Sequence, residues 1–262
     1  LLEEALTLLK SEPIRDRSVV YAMALPLLIT RGDSARAESM INELETIELS
    51  AFARGLLQRH RATIALRRDD EQLCNQCYEA ANEIFVALSV PLEHASTLIQ
   101  WGSAASAFRR FDIAEKHIRH ALRILGPLEN GPAMHAATAY LAQVLVARGR
   151  VTPAERQIEA LARYDAGDDV FSLGSGELTR AIVAAARGRF NEAEQHFVTA
   201  DQFYTRGEAH FRRNRLTLER ARMLRMRGDR ERAAALLREL ARDAAARGES
   251  ILKRLAEEEL AR

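Results

Sequence analysis

Apolar positions along the chain recur at steps of three and four residues. Ile113, Ile118, Ala121, Leu122 and Leu125 are one such stripe. That spacing places side chains on one face of a helix. The same periodicity predicts A helices over Val19–Thr30, Ala51–Leu66, Glu93–Ala107, Pro132–Ala147, Gly176–Ala186 and Glu208–Met226. It predicts B helices over Ser34–Thr46, Glu71–Leu88, Ile113–Leu125, Pro153–Tyr164, Glu192–Tyr204 and Arg230–Arg247. Leu1–Lys10 reads as an unpaired B helix, and Ser250–Arg262 as a terminal helix that caps the stack or begins another repeat. No alternating run of useful length predicts a strand.

Between the members of each pair a local pattern returns: a basic residue, Gly or a substitute, a short polar stretch, then Ala-Glu or a similar pair. It reads Arg31-Gly32-Asp33-Ser34-Ala35-Arg36-Ala37-Glu38, and again Arg148-Gly149-Arg150-Val151-Thr152-Pro153-Ala154-Glu155. Counted on the small residue, or on Leu73 in a degenerate second copy, the anchors fall at 37, 73, 114, 154, 193 and 233, spaced 36, 41, 40, 39 and 40. Gly after a helical stretch supplies the left-handed conformation that ends a helix. Asp112 with Glu115, Thr152 with Glu155, and Asn191 with Glu194 have capping-box spacing. Pro153 is expected at the first helical position. The acids of this turn are thus read as caps rather than catalytic carboxylates.

These residues resemble the tetratricopeptide repeat. The third copy places Gly102, Phe111, Ala114, Ile118, Ala121 and Pro127 near that family's positions, and the fifth places Ala181, Gly188, Phe190, Ala193, Phe197 and Ala200 there. The second copy departs, with Arg61, Arg68 and Leu73 where small residues are expected. The period near 40 exceeds the usual 34 and resembles the long repeats of MalT-like, LuxR-associated bacterial regulators and related signalling ATPases. The resemblance implies an all-α right-handed solenoid of about six hairpins with a closing helix, over residues 1–262 as one repeat domain. It also implies a concave groove lined by A helices. Its partner-facing positions are Gln58, Ser96, Ser103, Ser106, Gln143, Arg215, Arg222 and Arg225. The groove is thus small and lightly polar in the middle and cationic at one end. The expected partner is a protein or peptide segment, acidic at one end, or a small inducer.

Composition narrows the rest. Hydrophobic residues make up 47% of the chain and charged residues 29%, with a net charge of +1, which excludes a disordered chain. No apolar run approaches the roughly 18–20 residues of a membrane span, and Leu1-Leu2-Glu3 shows no secretory n-region. The missing initiator Met suggests a piece of a longer protein. Unpaired thiols suit a reducing cytoplasm.

Other constellations favour plain readings. Cys74-Asn75-Gln76-Cys77 lacks the further ligands of a zinc site and reads as a packed thiol pair. His117 and His120 read as a solvated face without a third ligand. Gly174-Ser175-Gly176, placed in a loop over Asp165–Gly176, follows no strand and is no phosphate cradle, and no P-loop sequence occurs. Arg206–Arg232 holds ten Arg against four acids. It lacks interleaved aromatics, so a solvated helix with pairs such as Arg215 and Glu219 is preferred to a nucleic-acid surface, and such a polar end would face water to terminate the stack. No cofactor and no catalysis are expected. The leading function is a non-catalytic interaction or sensor region of a bacterial cytoplasmic signalling or transcription-regulatory protein; the alternative is a stand-alone adaptor or chaperone-like scaffold.

Overall fold

The computed structural model describes residues 24–46 and 48–262. Leu1–Lys10 and the first part of Val19–Thr30 lie outside the described residues. After helical backbone over 24–31 come α1 (Ser34–Glu45), α2 (Ala51–Arg67), α3 (Glu71–Ala87), α4 (Pro91–Ala107) and α5 (Phe111–Leu125). A short 3₁₀ turn at Gly126–Leu128 leads to α6 (Gly131–Ala147), α7 (Val151–Leu161), α8 (Val170–Ala186) and α9 (Phe190–Arg206). The chain ends with α10 (His210–Arg227), α11 (Arg230–Ala246) and α12 (Ser250–Leu260). Consecutive helices pack as antiparallel hairpins, and the A helices α4, α6, α8 and α10 also stack on one another. The architecture is an all-α, right-handed, tetratricopeptide-like solenoid.

Each A-to-B turn has one backbone solution. The residue after the helix takes a positive φ, and its successor donates to a carbonyl five residues back, as Arg150 does to Leu145 at 2.8 Å and Arg189 does to Ala184 at 2.9 Å. Gly occupies the left-handed position at Gly32, Gly149, Gly188 and Gly228; Asp69 and Arg109 occupy it in the second and third turns at φ 65° and 60°. The amide four residues after each N-cap closes the turn, from Ala37, Cys74, Ala114, Ala154, Ala193 and Ala233. The anchor of the second repeat is therefore Cys74, not Leu73, and Cys74 is fully buried like the alanines. With this register the second repeat packs as the others do. A small thiol stands where the alanine would, and Gly55 stands against the ring of Phe85.

The capping-box reading is corrected. Helices α5, α7 and α9 begin at Phe111, Val151 and Phe190, with Arg110, Arg150 and Arg189 as N-caps that make no side-chain cap hydrogen bond. Asp112, Thr152 and Asn191 are already inside the first turn, and Pro153 is the third helical residue rather than the first. The glutamates reach other helices instead. Glu115 binds Arg148 and Arg150, and Glu155 binds Arg187 and Arg189, each pair joining the acid of one hairpin to the turn of the next. Glu71 and Arg110 repeat the arrangement one hairpin earlier. The acid-base pattern of the turn thus links repeat to repeat. Side-chain caps occur elsewhere, as where Asp70 accepts from the Leu73 amide at 2.9 Å.

Gly174-Ser175-Gly176 is not a loop. All three lie buried inside α8, which begins at Val170. A Cβ at Gly174 would stand 2.6 Å from the ring of Tyr204, and one at Gly176 2.6 Å from that of His135. The glycines let neighbouring rings approach a helix backbone. His120 is exposed, as expected, but His117 is half-buried and stacks on Trp101 with ring centroids 4.2 Å apart. Cys74 and Cys77 are free and buried, and burial pushes the Cys74 thiol up to about 12.

The solenoid curls until its last helices meet its second hairpin. One buried cluster holds Leu66, Cys74 and Tyr78 of the second hairpin together with Leu218, Leu240, Ile251 and Leu255 from the last three helices. Arg67, buried in this seam, lies over the ring of Phe211 at 4.8 Å, and Arg109 pairs with Glu258 at 2.9 Å. The terminal helix therefore closes the stack, as expected, by packing back onto α2; the arginine-rich α10 before it buries Leu218 and Ala221 in the same seam instead of ending the stack in water.

Candidate functional site

Closure leaves a central cavity of about 630 Å³, bordered by α4, α6, α8, α10 and α12. Its walls follow from the A-helix sequences. Val146, Ala147, Ile182, Ala185 and Ala186 give one small, apolar side, while Phe211, Leu218, Ile251, Leu252 and Leu255 give the other. The volume falls in the roughly 300–1,000 Å³ range of ligand sites.

Of the eight positions expected to face a partner, six border this cavity: Ser103, Ser106, Gln143, Arg215, Arg222 and Arg225. Gln58 and Ser96 are half-buried and are not part of its lining. The lining also includes residues for which the local sequence gave no sign: Arg109, Glu219, Glu259 and Arg262. Only the apolar stripe Ile251, Leu252 and Leu255 hinted that the terminal helix buries a face.

The cationic end is largely matched from within. Glu259 is 6% exposed. It accepts from Arg222 at 2.9 Å, from Arg225 at 3.0 Å and from Arg262 at 3.2 Å. Glu219 holds Arg222 at 2.8 Å. Glu219 and Glu259 beside it, against the cost of burial, hold the Arg222 guanidinium above its ordinary pKa. The expected pairing of Arg215 with Glu219 is therefore replaced. Arg215 instead donates to Gln143 Oε1 and lies 5.5 Å from the Tyr140 ring centroid. Gln143 in turn donates to Thr179 Oγ1 at 2.7 Å, and that hydroxyl donates to the Ser175 carbonyl at 2.6 Å.

One helical turn before Arg215, Arg212 donates to the Tyr140 hydroxyl at 3.1 Å and lies over Phe171 at 5.4 Å. Burial pushes the Tyr140 phenol up, yet the two guanidiniums outweigh it and bring the group down to about 8. No carboxylate pairs with Arg212 or Arg215 among the described residues, whereas Arg213, Arg220, Arg222 and Arg225 on the same helix all have one. Also among the described residues, no three His, Cys, Asp or Glu side chains are grouped to hold a metal, and no helix is long and apolar enough to cross a membrane.

A curled tetratricopeptide-like solenoid around a central cavity defines the class. Neither the protein-family models nor the curated proteins give a match to this sequence. Solved structures do. A Rap protein complexed with Competence and Sporulation Factor superposes with a TM-score of 0.70 at 14% identity, over 97% of this chain and 75% of that one. NprR in complex with its cognate peptide NprX gives 0.63 at 13% identity, over 97% and 81%. The Rap conjugation gene regulator of plasmid pLS20, in complex with the Phr* peptide, gives 0.58 at 14% identity, over 92% and 70%. At these identities the likeness is one of fold.

Proposed function

We propose that this chain is the non-catalytic receptor region of a bacterial cytoplasmic regulatory protein, and that it takes a short peptide or protein segment into its central cavity. The observation that carries this reading is the cavity itself: a chamber with apolar walls and arginines along its border, made by the A helices of successive hairpins and by α12. Packed cores are filled to high density, so a chamber of this size bounded by Val, Ile, Leu and Phe is suited to an apolar guest. The peptide complexes of the structurally similar Rap and NprR proteins support the same class of guest. The long repeat period, which resembles MalT-like and LuxR-associated regulators, supports a signalling context. Because α12 borders the cavity and also closes the ring on α2, occupancy would be felt in the closure, and that coupling is the proposed output.

The test is retention of a defined pool of N-acetylated pentapeptides of Leu, Ile, Val, Phe and Ala by the purified 262-residue chain. Ile182→Arg, which puts a charge on the cavity wall, is expected to abolish retention. Val198→Arg, on the exposed side of α9, is expected to leave it unchanged. Equal retention by both variants would place the binding surface elsewhere.

A further inference from the structure

Among the described residues, the cavity holds a half-buried cation site with no carboxylate in it. Six arginines border the cavity against two glutamates, Glu219 and Glu259. Both acids are already engaged, at the end where Arg222 and Arg225 lie. Arg215 meets only neutral groups: the amide oxygen of Gln143 and the face of Tyr140. Arg212 stands directly behind it, and it too meets a neutral hydroxyl and an aromatic face. Two half-buried guanidiniums one turn apart, without a carboxylate among the described residues, repel each other and retain unused capacity for a charge-assisted, two-point bond. Gln143 is held from behind by Thr179 and Ser175, so the partner on the cavity side of Arg215 is a fixed neutral dipole that an anion outcompetes. The depressed Tyr140 phenol reports the same local excess of positive charge.

We propose that Arg215, backed by Arg212, anchors the C-terminal carboxylate of the bound peptide, whose apolar side chains lie against Val146, Ile182 and Leu218. This rests on the cavity reading above and adds the chemistry and direction of the guest. A chain end supplies its carboxylate without needing an acidic side chain, which suits a site where Arg215 stands beside the apolar walls of Val146, Ile182 and Leu218. The carboxylate replaces Gln143 Oε1 as the acceptor from Arg215.

The experiment compares the free-acid pentapeptide pool with its C-terminally amidated twin on the same chain. Free acids are expected to be held about tenfold or more tightly than the matching amides, the scale of a charge-assisted hydrogen bond. Arg215→Gln is expected to bring acids and amides to equal affinity; Arg215→Lys keeps most of the preference, and Arg238→Gln, at an exposed arginine outside the cavity, keeps all of it. A merely structural role for Arg215 would weaken acids and amides alike. Amides that bind the native chain as well as acids overturn the anchor while leaving the cavity reading intact, and so does a preference that survives Arg215→Gln. Retention of neither pool removes both.

Discussion

Arg254 and Asp69 stand 185 residues apart and form a two-point ion pair, with Nε to Oδ2 at 2.6 Å and Nη2 to Oδ1 at 2.9 Å. Asp69 sits in the left-handed turn after α2, so its side chain leaves the turn toward the terminal helix. Arg254 is one turn into α12, between apolar residues that face the seam. The pair is thus the polar rim of a contact whose centre is Ile251, Leu252 and Leu255.

Asp69→Asn keeps a side chain that tolerates positive φ but removes the charge. Both partners are partly exposed, so the expected cost is modest, about 0.5–1 kcal/mol. The informative measurement is hydrogen exchange in Ser250–Leu260. Faster exchange confined to this helix is expected, and unchanged exchange there would mean the pair plays no part in closing the ring.

Helix crossing within the hairpin gives a second prediction. A Cβ at Gly102 would lie 2.6 Å from Ile118 Cγ1 and 3.1 Å from the Ala114 carbonyl oxygen, so Gly102→Ala forces α4 and α5 apart. The expected loss is about 1–3 kcal/mol, the usual cost of overpacking. Gly149→Ala meets no neighbouring atom but places Ala at φ 74°, and its expected cost is about 1–2 kcal/mol from backbone conformation alone. Thermal unfolding compares them. Ile118→Ala, which removes the clashing Cγ1, should cost less in the Gly102→Ala background than on its own, whereas no change at Ile118 should rescue Gly149→Ala.

Acid should loosen the fold before its carboxylates titrate. His60 is buried in α2, and burial together with neighbouring Arg59 lowers it from 6.5 to about 3. The folded chain keeps this ring neutral at pH 5 while the unfolded chain protonates it. The stability it supports is complete above pH 6.5 and falls as the pH drops toward 3. At pH 5 the loss from this one residue is about 2 kcal/mol. His117, lowered to about 4 by burial beside Trp101, acts in the same direction; Glu249, whose carboxyl burial holds up, opposes both. Urea midpoints at pH 7 and pH 5 should differ less for His60→Leu than for the native chain. An identical pH dependence would show that His60 does not titrate between the two states.

The hairpins were legible because each is local: the three- and four-residue stripes and the recurring Arg-Gly turn locate most helix ends within two residues, the exceptions being the start of α8 and the end of α7. Register failed by one at Leu73, because Cys74 serves as the small anchor and nothing in its neighbourhood says that a thiol replaces alanine. Asp112, Thr152 and Asn191 have capping-box spacing, yet the same Glu spacing serves an ion pair to the next hairpin, and a single repeat cannot tell the two apart. The loop assigned over Asp165–Gly176 came from counting Gly174 and Gly176 as helix breakers, when they are the points where Tyr204 and His135 press on α8. Closure was illegible for a different reason. It depends on curvature summed over six hairpins, so the meeting of Arg254 with Asp69, and the enclosure of Glu259 among three arginines, have no local signature. Six of the expected groove positions border the cavity because A-helix periodicity repeats; Gln58 and Ser96 lie in the N-terminal halves of α2 and α4, whereas those helices border the chamber nearer their C-terminal ends, at Leu66 and at Ser103, Ser106 and Ala107.

Hydrogen exchange with and without the tightest-held free-acid pentapeptide reports which helices the guest touches. Slowed exchange is expected in α4, α6, α8 and α10 toward the residues bordering the chamber, together with α12. Protection confined to the outer face of α9 around Val198, or bound peptide with no protection of these helices, would contradict it.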